Sequence, residues 1–403
     1  MTRSPAVLAF NDPWHDSSFC IYDDGAVKHV ESERFTRRRY EFINPILTFC
    51  ELFPEKVEDF FCIAVEQATY AVCPFFKKVA QLKSQDIGIE AAARALDMPY
   101  ADRWWCEQMG QFPLSNKTEA ISRFIRHVLR KDVEIFICGH HASHAANSFF
   151  SSGFSSAIAV TLDGGGHDFV LADTQRNLIR AEEDIRSHGI FGGVYRCDGL
   201  DCVPLYQQRD FSFGFGWHRV TFDILGLPEG AEGTVMAMAS LGDPTRYREA
   251  LSERWIWLPG HPSPADAPGL EAFFGRVKSS IHGEQDRYDV AASLQALTET
   301  RIRQYLERFI ARDETGNLCV AGGTFLNCQI AGNFAIGFPS FARSTCRRRP
   351  MTGGSASARR SWCATRISGR GAPWRRAGLP RLPWAENTAA WRLRARAARR
   401  KSR

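Results

Sequence analysis

No stretch of this chain runs for the roughly 20 apolar residues that a membrane-crossing helix needs. The opening "MTRSPAVLAFNDPWHD" has too short an apolar run before Asn11 to be a signal peptide, so a cytoplasmic protein is expected. The 12 cysteines form no CxxC pair; Cys197 and Cys202 come nearest, at a spacing too loose for a metal site, and free thiols are expected. Acid is almost missing from one end. Residues 342–403 contain a single carboxylate, Glu386, and no Asp follows Phe341, yet they hold 18 of the chain's 51 Lys and Arg. The first 341 residues therefore keep 33 bases against 44 acids, a net charge of −11 hidden inside an overall +6. An acidic body has no nucleic-acid footprint, so neither nucleic acid nor a membrane is expected as a partner.

What is present is a packed globular composition: 403 residues, 44% hydrophobic and 12% aromatic. That is enough chain for two domains or one large two-lobed one. "AVLAF" (6–10) reads as a buried strand, "FCIYDDGAVKHVESE" (19–33) as a hairpin turning at Asp24-Gly25, and "FFCIAVEQ" (60–67) as another strand. A helix from Ser115 carries Ile121, Phe124, Ile125 and Val128 at helical spacing. "VEIFICG" (133–139) is a strand that runs into "HHASHAANSFF", a helix. The pattern then restarts, with "SSAIAVTLDGGG" (155–166) as a strand ending in a Gly turn and "DFVLADTQRNLIRAEE" (168–183) as a second hairpin. Helices follow around 212–226 and 289–312, then the strand "NLCVAGG" (317–323) and a helix from about Asn327. Two similar starts, near residues 6 and 157, predict two similar lobes, roughly 1–150 and 151–338, around a cleft.

Several short motifs carry chemistry. In His140-His141-Ala142-Ser143-His144, the first and last histidines are four apart and share a helical face. That spacing suits two imidazole ligands to one divalent cation, or two helix histidines bonded to nearby backbone. "TLDGGGHD" (161–168) ends a strand in Asp163 and three glycines, where backbone can approach a phosphate closely and Asp163 can add a metal ligand. The plain alternative is a tight turn whose Asp bonds its own backbone. "WHDSS" (14–18) puts His15, Asp16 and two hydroxyls in one turn, as a proton acceptor with anion-binding groups or as a solvated turn. "ESERFTRRRY" (31–40) offers arginines to a phosphate or carboxylate, or is a charged surface turn. "AGGTFLNCQ" (321–329) is strand–Gly-Gly–helix, able to present helix amides to a phosphate but without the Lys of a P-loop.

Taken together and in order, "HDSS", "ESERFTR", "HHASHAANSFFSSGF", "TLDGGG", "EGTVMAMASLGDP" and "NLCVAGGTFLNC" resemble the carbamoyltransferase family that includes nodulation and aminoglycoside-antibiotic O-carbamoyltransferases. The resemblance spans residues 6 to about 333. It implies an α/β fold of two actin-like ATPase lobes (ASKHA, Kae1-like), followed in relatives by a YrdC-like domain that this chain lacks. It also implies transfer of a carbamoyl group to a hydroxyl of a sugar or natural product, from carbamoyl-adenylate made from carbamoyl phosphate and ATP. By the resemblance, His140, His144 and Asp163 hold a divalent metal, Fe2+ first among the candidates. His15 becomes the base beside the acceptor hydroxyl, with Asp16 next to it. Arg39, the Gly164-Gly165 and Gly322-Gly323 turns and Asn327 become contacts to the donor. The expected partners are a small-molecule hydroxyl acceptor and a separate YrdC-like domain or protein. An actin-like sugar kinase or ATPase, and a non-catalytic remnant, are the competing readings.

The same resemblance bears on the Arg-rich end. The family pattern continues past the Gly-Gly–helix element into a stretch like "VPP…DDGG…IGAA", which contains a further metal-ligating Asp. Codons chosen for "ARSTCRRRPMTGGSASARRS", read two bases later, can give "EVHVPPAPDDGGLSIGAAL", with the Asp pair under Pro350, Met351 and Thr352. A frameshift near residues 338–342 is therefore expected, leaving residues 339–403 as an aberrant tail and the second lobe C-terminally truncated. An evolved basic tail is the alternative; four Trp without periodicity and a change of style in mid-element speak against it.

Overall fold

Strand β1 (Ala6–Phe10) is apolar at every position and buried at every position, as a central strand covered on both faces must be. In the computed structural model it pairs antiparallel with β2 (Ser18–Asp23) and parallel with β4 (Phe60–Glu66). β2 continues antiparallel into β3 (Ala26–Glu31), and β4 runs parallel to β5 (Glu134–Cys138). The structure describes residues 6–11, 18–23, 26–31, 34, 37, 49–50, 52–53, 60–66, 125–126, 129–183, 185–228, 230–253, 267–310, 315–337 and 343–346. Of the helix predicted from Ser115, only Ile125 among the named apolar residues lies within them, and it is helical and buried.

A second sheet repeats the first. β6 (Ser156–Phe169) pairs antiparallel with β8 (Ser187–Asp198), which continues into β9 (Asp201–Gln208). On its other side β6 lies parallel to β10 (Asn317–Ala321), which in turn pairs parallel with β11 (Arg343–Cys346). The orders are β3-β2-β1-β4-β5 and β9-β8-β6-β10-β11, with the same directions at each step. This duplicated mixed sheet is the topology of the actin-like fold expected from the sequence. Its two starts, at Ala6 and Ser156, fall where the two similar starts were expected.

Two expectations fail locally. β6 does not stop at the glycines but runs on to Phe169. The hairpin expected over 168–183 does not form either. The short strand β7 (Leu178–Arg180) crosses to the first sheet and pairs antiparallel with β5. Ile179 is thereby buried in the first core, and the β5 edge is covered rather than left open. Alternation within a segment shows that a strand exists, not which sheet receives it.

Helix α1 (His140–Phe150) links the sheets. It packs Ala142, Ala145, Ala146 and Phe149 against Ala157, Ala159, Tyr195 and Cys319 of the second sheet. Small residues let the helix approach closely, and burying Phe149 contributes about 1.5–3 kcal/mol. Beyond the second sheet lie α2 (Phe213–Arg219), α3 (Glu232–Met238), α4 (Arg248–Ser252), α5 (Ala267–Ser279), the long α6 (Glu284–Ile310) and α7 (Cys328–Gly337). α6 serves two cores, with Val290, Leu294 and Leu297 packed near Trp217 and Phe273, and Ile302 and Leu306 against the β6–β10 face. Among the described residues no helix is long and apolar enough to cross a membrane. Cys20, Cys50, Cys62, Cys138, Cys197, Cys202, Cys319 and Cys328 are free thiols. Cys197 and Cys202 face each other across the β8–β9 pair, buried in the core, and burial pushes the Cys197 thiol well above its usual range.

Candidate metal centre

The site grows from two local features. The first is the start of α1. β5 delivers the chain to Gly139, the N-cap, and His140 and His144 then lie one turn apart with ring centroids 4.7 Å from each other. The second is a bulge in β6. Leu162 pairs with Gly192 and Gly166 with Ile190, so Asp163, Gly164 and Gly165 stand opposite the single residue Phe191 of β8, two residues in excess. Such a bulge re-aims a side chain. Here it turns Asp163 toward α1.

The Asp163 carboxylate takes both histidines. Its Oδ2 lies 3.0 Å from His144 Nε2 and 3.4 Å from His140 Nε2. One ligand atom from each of the three residues falls within 4.8 Å of the others. Asp163 Oδ1 meanwhile accepts the Gly164 N–H at 2.7 Å, the local backbone bond of the tight-turn reading, while Oδ2 faces the two histidines. On its far side, His140 Nδ1 is hydrogen-bonded to Glu66 Oε1, at the end of β4. Burial works against a charged His140, but the carboxylates of Glu66 and Asp163 outweigh it and push the imidazole up to about 10. Burial also opposes ionisation of Asp163, yet the bonds from His140 and His144 hold it well below the usual carboxylate range.

The middle histidine is structural. His141 is fully buried; its Nε2 donates to the Ile190 carbonyl at 3.1 Å, and its Nδ1 lies 3.1 Å from Thr161 Oγ1. Burial and the neighbouring His140 lower it well below the usual range, so it is a neutral bolt between α1 and the second sheet. Asp168, also buried, accepts the His141 backbone N–H at 2.9 Å and the Tyr195 hydroxyl at 2.5 Å. It thus supplies the acceptor that the helix start needs and the Gly139 cap lacks.

Glycines make the space. A Cβ on Gly166 would come within 2.2 Å of the His140 ring, and one on Gly323 within 2.7 Å of Asp163 Oδ1. Gly322 sits at φ +97°, with the Leu162 carbonyl oxygen 2.3 Å from where its Cβ would be, so only glycine fits. The Gly322-Gly323 turn therefore abuts the metal-site strand through close packing. Gly164 and Gly165 are exposed at the bulge, with no atom within 4 Å of a Cβ on Gly164. Asn327 has a structural engagement: its Oδ1 accepts the Ile330 N–H at 3.2 Å, and its Nδ2 donates to Gln295 Oε1 at 2.6 Å. Arg34, from the arginine run, closes on Glu31 at 2.9 Å as an exposed pair. His15, Asp16 and Arg39 lie outside the described residues. Glu66 and Asp168 were not singled out from the sequence. Glu66 ends an apolar run and Asp168 follows three glycines and a histidine, and only the pairing of strands brings them to the histidine helix.

Two nitrogens and one carboxylate oxygen converging from one side form the donor set of a borderline divalent cation, the two-His–one-carboxylate arrangement familiar for non-haem Fe(II). The residues present fit such an ion.

Comparison with known proteins identifies the family. The family model described as carbamoyltransferase N-terminus matches residues 8–337. Among curated proteins, the nodulation protein NolO of Bradyrhizobium diazoefficiens is 29% identical over 207 residues, 48% of this chain and 32% of that protein. NolNO of Sinorhizobium fredii is 25% identical over 211 residues, 49% of this chain and 27% of its own length. An uncharacterized protein of Synechocystis is 23% identical over 360 residues, covering 81% of this chain and 52% of the relative. The chain thus spans a third or less of the nodulation proteins it matches. Among solved structures, full-length HypF in its phosphate- and nucleotide-bound form aligns over 92% of this chain and 56% of its own, with 10% identity and a TM-score of 0.44.

Proposed function

The chain belongs to the carbamoyltransferase family, and from that premise we propose that it is the transfer domain of an O-carbamoyltransferase, moving a carbamoyl group to a hydroxyl of a sugar or other natural product. The observation that carries the reading is the convergence of His140, His144 and Asp163 at the bulge in β6. The donor is a mixed carbamoyl–phosphate anhydride, carbamoyl-adenylate made from ATP and carbamoyl phosphate. In the transfer the acceptor oxygen forms the new bond to the carbamoyl carbon and the anhydride C–O bond breaks. AMP leaves with the electron pair, and the hydroxyl proton passes to a base. His15 has the right chemistry for that base.

A divalent cation, Fe2+ first among candidates, would be held by Nε2 of His140, Nε2 of His144 and Oδ2 of Asp163; bound there it would polarise the anhydride and offset charge on the departing phosphate. The chain's own residues do the holding. The bulge presents Asp163, α1 presents both rings at one-turn spacing, and the open Gly164 leaves room for a ligand against the backbone. A YrdC-like domain or protein would make the donor. The kinase reading needs no such triad, and the triad favours the transferase.

The test is direct. Purified protein is expected to retain close to one equivalent of divalent metal. Given a YrdC-like partner, ATP, carbamoyl phosphate and an aminoglycoside or chito-oligosaccharide acceptor, it is expected to release AMP in step with carbamoylated product. Metal-free protein that transfers the γ-phosphoryl group of ATP to a sugar hydroxyl, releasing ADP, without carbamoyl transfer, would overturn the reading.

A further inference from the structure

β4 and β5 are parallel neighbours whose last residues, Glu66 and Cys138, are register partners. Two residues after Cys138 the chain begins α1 with His140. A carboxylate at the end of β4 is thus placed beside the first ring of the helix, although 74 residues separate the two in sequence. Glu66 is 2% exposed. A carboxylate so buried must be paired, and it is: Oε1 meets His140 Nδ1.

We propose that Glu66 is a positioning residue of the metal centre, holding His140 by Nδ1 so that Nε2 is the nitrogen presented to the cation. This rests on the metal-centre reading given above. An ionised carboxylate can only accept, so the bond requires the proton on Nδ1. The ring is then turned and committed before any ion arrives, with its other nitrogen aimed at the point shared with His144 and Asp163. His144 offers a contrast within the same site: its Nδ1 is buried without a hydrogen-bond partner among the described residues. One imidazole is preset by a carboxylate, the other held by helix packing. Glu66 also belongs to the first sheet while Asp163 belongs to the second, so the bond fixes the ligand set across both.

The test compares full-length wild type with Glu66→Gln and Glu66→Asp, using Co2+ as the probe in competition with a chelator. Removing a carboxylate behind a ligating histidine typically weakens metal binding 10- to 100-fold. Glu66→Gln is expected to fall in that range, and Glu66→Asp, which keeps the charge but withdraws it by a methylene, to fall less. A second readout needs no variant. Long-range 15N correlation of the His140 ring in Zn2+-loaded wild type is expected to show hydrogen on Nδ1 and none on Nε2. A residue that merely packs would lower the thermal midpoint while leaving Co2+ affinity of the folded protein unchanged. Folded Glu66→Gln that binds Co2+ within twofold of wild type, or a His140 ring protonated on Nε2 in the loaded protein, would overturn the inference and leave the metal centre standing. Wild type that takes up no Co2+ would overturn the metal centre itself, and this inference with it.

Discussion

Gly166 lies directly beneath the His140 ring: a Cβ there would stand 2.2 Å from Cδ2 and 2.5 Å from Cγ. No real side chain tolerates such a contact, and His140 cannot yield without losing its two carboxylate partners. Gly166→Ala is therefore expected to displace the imidazole, weaken metal binding by at least tenfold, and cost about 1–3 kcal/mol of stability through overpacking. Chelator competition and chemical denaturation measure the two effects separately. Unchanged metal affinity would show that the ring is free to move aside.

Metal binding is expected to release a proton. In the metal-free protein His140 keeps its charge up to about pH 10, whereas an imidazole in the unfolded chain titrates near 6.5. Its stabilising contribution is thus complete below pH 6.5 and lost as pH rises through about 10. Asp163 has the opposite sign. Its folded pKa is depressed, so its contribution is present above the ordinary carboxylate range and lost in acid. A cation needs the Nε2 lone pair of His140, so near pH 8 about one proton should leave per cation bound, and apparent affinity should rise about tenfold per pH unit. Calorimetry in buffers of different ionisation enthalpy counts the protons. Metal uptake without proton release would remove His140 from the ligand set.

Gly139→Ala tests the anchor of α1. Its φ of −63° suits alanine, so any loss comes from space alone. The added Cβ would meet Asp168 Oδ1 at 2.5 Å and push the carboxylate off the His141 N–H and the Tyr195 hydroxyl. A loss of about 1–3 kcal/mol is expected, that of unpaired buried polar groups.

Burial raises Asp168 to about 6, against the unfolded value of 3.8. The contribution of this group is fullest below 3.8 and falls away as pH rises through about 6. Wild type should therefore lose stability relative to Asp168→Asn across that window, read from denaturation midpoints at pH 4, 5, 6 and 7. A flat difference would mean the carboxylate is not desolvated.

The family model ends at residue 337, just before the composition changes. β11, the parallel neighbour of β10, is Arg-Ser-Thr-Cys, a polar set for that position, where an apolar strand is usual. A frameshift near codon 340 predicts that genomic DNA, read in the shifted frame, continues with an apolar strand and an Asp pair. Resequencing that shows no such open frame would remove the proposal.

The candidate ligand cluster was legible because its signal is local. A spacing of four from His140 to His144 puts both rings on one helical face, and Asp163 at a strand end beside glycines suggested a special turn. The apolar runs at 6–10, 60–66, 134–138 and 317–321 were legible as strands for the same reason. What stayed hidden was pairing between distant segments. Glu66 reads as the end of an apolar run, and nothing near it in sequence says that β5 lies alongside. Asp168 reads as part of a hairpin that does not exist.

By itself, then, the sequence determined which segments become strands and helices and which side chains can ligate, because backbone periodicity and side-chain chemistry act within a few residues. Tertiary structure decided that β7 crosses to the other sheet, that the β6 glycines form a bulge rather than an end, and that Glu66 and Asp168 reach the histidine helix. These outcomes depend on strand neighbours chosen by burial over the whole chain, where buried carboxylates must find partners and every ring must find room.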